Sequence, residues 1–248
     1  MHPVNEILYH FGIRLSRMRG VIRPPSDFMV SYRRGLANLN DDPRGCRIFK
    51  DLQFDTGAHP ESYVDHECTF AARQISALRP QSILDIGSYR QFVLGLLSHF
   101  EVTTVDVRSR QPISPRETVV TCDAKNLSLP DNSFDAVVSL CTLEHFGLGR
   151  YGDEFDPDGD KKALKEMVRV LKPGGHLIFT TNITRAQPAI AFNAHRIYTR
   201  EMLRKLCEGL VCVEEAFYSS ASQRFCLFEQ VTTVPQAWDI YCGCWKKA

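Results

Sequence analysis

Short apolar runs that stop on an acid recur through the middle of the chain. Ser82-Ile83-Leu84-Asp85-Ile86-Gly87 closes on an acid and a glycine, Val102 to Val105 closes on Asp106, and Thr118 to Cys122 closes on Asp123. Runs of this length, bounded by turn residues, read as buried strands of a parallel sheet. Phe134 to Ser139 supplies a fourth and His176 to Thr181 a fifth. Between them the spacing changes to the helical repeat: Glu61 to Leu78 before the first strand, Phe92 to Phe100 after it, and Lys161 to Leu171 before Lys172-Pro173-Gly174-Gly175 breaks the pattern.

Strands alternating with helices predict a doubly wound α/β sheet. A helix opening after Thr199 and reaching Glu208 leads to two further strand candidates, Leu210 to Phe217 and Trp238 to Trp245. They add an antiparallel edge pair, so the expected architecture is Rossmann-like, seven-stranded and mostly parallel. Residues 1–60 break this rhythm with Pro24-Pro25, Asp41-Asp42-Pro43 and Gly45, and read as an N-terminal extension to a domain over 61–248. Within the extension Val4, Ile7, Leu8, Phe11, Leu15 and Met18 share one helical face, with Arg14, Arg17 and Arg19 elsewhere on the wheel. Such a helix suits packing on its own domain, a homodimer contact or a peripheral membrane contact.

The 248 residues, 44% of them hydrophobic, are enough for one large domain with appendages. Thirty Lys and Arg against 29 Asp and Glu leave a formal charge of +1, which gives no basis for a nucleic-acid partner. Nine cysteines scattered through apolar stretches, without a secretory apolar segment at the start, point to a reducing cytoplasm. No apolar run approaches the roughly 18 residues a spanning helix needs.

Open α/β sheets bind ligands beyond the carboxyl ends of their strands, so the strand-end acids carry the candidate chemistry. Asp85 lies beside the first turn, where Gly87 and Ser88 let a ligand approach the backbone at a helix start. Asp106, about 20 residues on and followed by Val107, is placed to accept from ribose hydroxyls. Asp123 accepts from an exocyclic amine while the backbone at Ala124 faces the ring. Each acid alone also reads as a helix cap, but three in register describe an adenosine-shaped ligand. Gly87-Ser88-Tyr89-Arg90-Gln91 has one glycine where a dinucleotide loop needs three, and a Walker lysine motif is absent.

In order, Leu84-Asp85-Ile86-Gly87, Val105-Asp106, Cys122-Asp123-Ala124, Leu129 to Asp135, Leu143-Glu144-His145 and Leu171 to Gly175 resemble the class I S-adenosylmethionine-dependent methyltransferases over Glu61 to Phe217. The resemblance implies S-adenosylmethionine as cofactor. Asp85, Gly87 and Ser88 would then border its methionine end, Asp106 and Val107 the ribose, and Asp123 and Ala124 the adenine. Ser139 and Cys141 fall on the methyl-transfer side. The first loop departs from the family, with Tyr89 and Gln91 where further glycines are common. Glu144 to Asp153, Asp156-Pro157-Asp158 and Phe192 to Arg196 resemble a bacterial domain of unknown function associated with surface-polysaccharide synthesis, which implies a small-molecule or glycan acceptor.

Methyl transfer from a sulfonium is an in-line displacement that needs alignment, exclusion of water and, for a hydroxyl acceptor, a base. His145, just past the fourth strand, is the candidate base, and Glu144 orients it or binds the acceptor. His195 and Arg196 are candidates for the acceptor pocket, Arg196 toward a phosphate or carboxylate. The structural readings are a loop-holding His145, a helix-capping His195 and a salt-bridged Arg196. The acids Asp153, Glu154, Asp156, Asp158 and Asp160 do not follow an EF-hand spacing, and Cys242 and Cys244 lack a second pair for zinc, so no metal is expected. Two other functions fit the same fold: a scaffold subunit that has lost catalysis, and a nucleotide-sugar enzyme using the same crevice.

Overall fold

The computed structural model describes residues 24–39, 52, 54 and 62–248. The amphipathic helix expected over Val4 to Met18 lies outside them. The chain divides between Pro60 and Glu61 into two units. In the first, helix α1 (Ser26–Leu39) begins after Pro24-Pro25, and the Phe28 ring meets Phe54 edge-on at 4.6 Å.

The second unit opens with α2 (Tyr63–Leu78), whose first turn is closed by the Asp65 carboxylate accepting from the Ser62 N–H at 2.8 Å. The chain then runs β1 (Ile83–Ile86), α3 (Arg90–Leu96), β2 (Val102–Asp106), β3 (Glu117–Thr121) and β4 (Phe134–Leu140). A 3₁₀ turn at Leu143–His145 precedes α4 (Gly159–Val170), β5 (Leu171–Ile183) and the hairpin β6 (Ala189–Ala191) and β7 (His195–Ile197). The remaining elements are α5 (Arg200–Leu206), β8 (Leu210–Ser219), β9 (Arg224–Cys226) and β10 (Asp239–Lys247). Thr199 caps α5 through its hydroxyl, which accepts from the Met202 N–H at 3.3 Å.

The main sheet is ordered β3-β2-β1-β4-β5-β10-β8-β9. Strands β1 to β5 are parallel, with Ile83 flanked by Val102 on one side and Ala136 on the other. Strand order reverses between β1 and β4, and there the carboxyl ends open a crevice. Side chains alternate across the sheet: Leu84 and Val137 pack with Met167 of α4 on one face, Ile83 and Val138 with Phe70 of α2 and Val93 of α3 on the other. Both faces are covered, which is why these strands are apolar throughout rather than alternating.

The fold class is as expected, with differences in detail. The sheet has eight strands rather than seven, because the three-residue β9 folds back on β8 with Phe217 opposite Cys226. So short a segment carries no readable period. The last strand inserts between β5 and β8, so β9 forms that edge. Helix α4 stops at Val170, where the Lys247 ammonium reaches the Val168 and Leu171 carbonyls at 2.8 and 2.7 Å. Among the described residues no helix is long and apolar enough to cross a membrane.

Candidate active site

A cleft at the carboxyl ends of β1, β2 and β4 is lined by Gly87, Asp106, Asp123, Ala124, Cys141 and His145, with Val107, Arg108 and Tyr151 at its margin. Gly87 holds φ +69°, and a Cβ there would stand 2.6 Å from the Thr142 methyl, so both conformation and space require glycine. The turn is stitched to the end of β4: Ser139 donates to the Ile86 carbonyl at 3.1 Å, and the Leu140 N–H donates to the Ser88 hydroxyl at 3.1 Å. Ser139 and Ser88 therefore fix the loop from below.

Asp85 is buried on the α3 face, where it lines an adjoining recess with Ser88, Arg90 and Arg110. Burial pushes its carboxyl up to about 7, against the Ser88 hydrogen bonds, and its Oδ1 has no partner among the described residues. Asp106 has the opposite surroundings. Partial burial works against its charge, but Arg108 donates through its main-chain N–H, Nε and Nη2 at 2.9, 2.9 and 2.7 Å and holds the carboxyl low. The Arg108 guanidinium also lies 5.0 Å from the Tyr151 ring. Asp123 accepts from the Lys125 N–H at 2.9 Å, with the Lys125 ammonium at 3.3 Å.

The other end of the cleft is buried and acidic. Cys141 follows β4 with φ +49°, its N–H donates to the Thr180 hydroxyl at 3.0 Å, and its thiol donates to Glu67 Oε1 at 2.8 Å. Glu144 is 2% exposed and accepts from the Thr181 hydroxyl at 2.9 Å. Burial pushes its carboxyl up to about 7. His145 Nδ1 lies 2.5 Å from the Ala194 carbonyl, so that nitrogen carries the proton and Nε2 is the acceptor. Burial takes its pKa down to about 4, and Nε2 is 3.9 Å from Glu144 Oε1.

Arg196 requires a correction. It is 5% exposed, donates to the Phe146 and Pro157 carbonyls at 2.6 and 3.2 Å, and lies 3.6 Å from Asp160. Its donors hold the 146–157 loop, because that loop supplies main-chain carbonyls that a buried guanidinium must satisfy. His195 sits on β7 with its ring against Trp238 at 5.9 Å, outside the cleft. In the acidic loop Asp153 accepts from the Gly147, Gly149 and Tyr151 N–H groups at 3.0, 3.3 and 3.2 Å, and buried Asp160 accepts from the Tyr198 hydroxyl at 2.9 Å. Asp158 occupies the α4 N-cap position without a side-chain cap bond. Sequence reasoning missed Glu67, Arg108 and Tyr151. A signal for Glu67 existed, since it falls on the apolar face of α2 with Phe70, Ala71 and Ile75.

The sheet order, the reversal between β1 and β4 and the cleft above them define the class I S-adenosylmethionine-dependent methyltransferase fold. A solved 1,6-didemethyltoxoflavin-N1-methyltransferase of Burkholderia thailandensis, with 1,6-didemethyltoxoflavin and S-adenosylhomocysteine bound, matches at a TM-score of 0.54 over 94% of both chains, at 17% identity. Within that class the chain belongs to the family described as Caenorhabditis protein of unknown function, DUF268, which matches residues 104–235. The demethylmenaquinone methyltransferase of Paenarthrobacter aurescens is 30% identical over 175 residues, 64% of this chain and 54% of that one. The ubiquinone/menaquinone biosynthesis C-methyltransferase UbiE of Hydrogenovibrio crunogenus is 36% identical over 96 residues, 39% of this chain and 33% of that one. The chain spans about half or less of the curated relatives it matches.

Proposed function

We propose that the domain transfers a methyl group from S-adenosylmethionine to an acceptor at the Cys141 and His145 end of the cleft. The observation that carries this reading is the meeting of Gly87, Asp106, Asp123 and Cys141, from four separate strand ends, in one cleft. The residues fit the cofactor. Gly87 keeps the floor clear of side chain, Asp85 Oδ1 in the adjoining recess is a buried acceptor without a partner among the described residues, and Ile86, Ala124 and Phe146 offer apolar surface to a ring. Asp106 would hold the ribose hydroxyls and Asp123 the exocyclic amine, and Arg108 must swing off Asp106 for the first of these contacts. When bound, S-adenosylmethionine supplies a methyl group on a positively charged sulfur.

The chain's own residues do the rest. Phe146 and Tyr151 wall the cleft from water, and neutral His145 presents Nε2 as a proton acceptor. Glu144 behind it is the stronger base of the two, since burial raises its carboxyl to about 7 and lowers the histidine to about 4. For the acceptor we favour a sugar or glycan hydroxyl. The resemblance of the Glu144 to Asp153 stretch supports that choice. A second reading, a binding subunit without turnover, draws on Arg108, which already occupies Asp106. Incubation with S-adenosylmethionine and a panel of sugar, nucleotide-sugar and amine acceptors separates the two. The catalytic reading expects acceptor-dependent production of S-adenosylhomocysteine, and binding without product from any acceptor class favours the second.

A further inference from the structure

The methyl-transfer end of the cleft contains a buried acid to which that reaction assigns no role. Glu67 on α2 is wholly buried, yet its oxygens are both engaged by segments that line the cleft. Oε1 accepts from the Cys141 thiol at 2.8 Å, and Oε2 accepts from the Tyr89 hydroxyl at 2.9 Å. Tyr89 stands where the family tends to carry glycine, and its inward turn onto Glu67 accounts for that residue. Across Cys141 lies Glu144, also buried, with Oε2 on Thr181 and Oε1 3.9 Å from His145 Nε2.

Among the buried glutamates these two are set apart by their lack of a cation. Buried Glu117 meets the guanidinium groups of Arg90 and Arg110 at 2.6 Å each, and Glu215 meets those of Arg200 and Arg204 at 2.7 and 2.6 Å. Among the described residues neither Glu67 nor Glu144 has a lysine or arginine within ion-pair distance. The groups facing Glu67 are Tyr89 from the first loop, Cys141 after β4, Thr180 of β5 and Cys242 of β10. Those facing Glu144 are Thr181, His145, Cys141 and Tyr198, and Tyr63 of α2 faces both acids. All of these are neutral at pH 7, and the cation in contact with His145, Arg150, meets it at Nδ1 (3.3 Å), the nitrogen other than the one nearest Glu144. Without a counter-charge burial raises both carboxyls, and Glu67 adds to the rise at Glu144. The counter-charge this pocket lacks is a single positive charge delivered from the cleft, and Cys141 is the residue shared by the cleft and the pair.

We propose that Glu67 and Glu144 act as one acid pair around Cys141 that releases a proton when a cation enters the methyl-transfer end of the cleft and recovers one when that charge leaves, matching an acceptor atom that is an uncharged hydroxyl or amine bearing an exchangeable proton. This rests on the methyltransferase reading. As the acceptor's lone pair bonds to the methyl carbon, the carbon–sulfur electron pair stays with sulfur and the positive charge passes to the acceptor atom. That atom's proton then goes, through His145 Nε2, to the carboxylate vacated when the cation arrived. Atoms and charge balance without any further reactant. Glu67 is in this scheme a positioning residue, which acts through Cys141 and the shared proton.

The test compares S-adenosylmethionine, a sulfonium, with S-adenosylhomocysteine, a neutral thioether that shares its adenine, ribose and amino-acid ends. Isothermal titration at pH 7 in two buffers of different ionisation enthalpy counts the protons released by each ligand. The sulfonium is expected to release about half a proton more than the thioether, because an incoming positive charge favours the ionised form of acids that burial has raised. The excess should fall at least threefold in Glu67→Gln and in Glu144→Gln. Equal release by the two ligands in the native protein would overturn the inference while leaving the methyltransferase reading standing, as would an excess unchanged in both variants. Failure of both ligands to bind would remove the methyltransferase reading and this inference with it.

Discussion

At the Asp106 end of the cleft the polar groups belong to residues at or just past a strand end, and each acid is met by a cation two residues along the same loop: Arg108 on Asp106 and Lys125 on Asp123. At the Cys141 end the acids come from elements far apart in sequence, Glu67 from α2 and Glu144 from the turn after β4, and among the described residues no lysine or arginine pairs with them. The first arrangement is local, half-exposed and charged. The second is tertiary and buried, and burial raises its carboxyls. The contrast fits a two-part task, in which a nucleoside is held at strand-end acids while a reacting charge is managed by buried groups that can change protonation.

The most severe way to break the first end is through its backbone. Gly87→Val places a side chain at φ +69° where even a Cβ meets Thr142 at 2.6 Å. Its expected effect is a loss of S-adenosylhomocysteine affinity of at least about a hundredfold, measured by titration, from strain and displacement of the loop together. The corresponding break at the other end is His145→Ala, which should lower turnover by about a hundredfold while S-adenosylhomocysteine affinity stays within about threefold. A variant that loses binding as much as turnover would contradict the division between the two ends. Asp106→Ala should weaken the nucleoside by about tenfold to thirtyfold, the ordinary worth of charged hydrogen bonds to two hydroxyls.

A pH series sharpens the same contrast. Glu144 has a folded pKa near 7 against an ordinary 4.5, so the folded state holds more protons than the unfolded one between those values and stability declines as pH rises from about 5 to 8. Asp85, also near 7, adds in the same direction, whereas Asp106, held low, contributes stability above its ordinary pKa that is lost toward acid. Denaturant melts should therefore show a decline on the order of 5 kcal/mol over that window, and Glu144→Gln should remove about half of it. A melt series in which that variant declines as steeply as the native protein would refute the protonated state. The smallest effect is expected at Arg108. Its ion pair with Asp106 is surface-exposed and worth little, so Arg108→Ala should tighten S-adenosylhomocysteine by no more than about fivefold.

Legibility in the sequence followed the same division. The strands, their order-generating alternation with helices and the acids at their ends are written locally, in runs such as Ile83 to Gly87, and a single chain displays them. Strand β9 was not legible because three residues carry no period, and its pairing depends on β8 lying beside it. Arg196 invited an anion-binding role from its position after a strand, but its burial is decided by the 146–157 loop folding across it, a tertiary event. Glu67 stood on an apolar helical face, the kind of exception worth flagging, yet its partners Tyr89 and Cys141 lie 22 and 74 residues away. Cys141 was legible as a strand-end residue, while its left-handed backbone was not.

The central claim is that the Gly87, Asp106 and Asp123 cleft binds an S-adenosyl nucleoside, and calorimetric titration of the native protein with S-adenosylhomocysteine tests it without knowledge of the acceptor. Micromolar affinity that falls at least tenfold in Asp106→Ala is the predicted result. No heat of binding at millimolar ligand, or equal affinity in the native protein and the variant, would contradict the account.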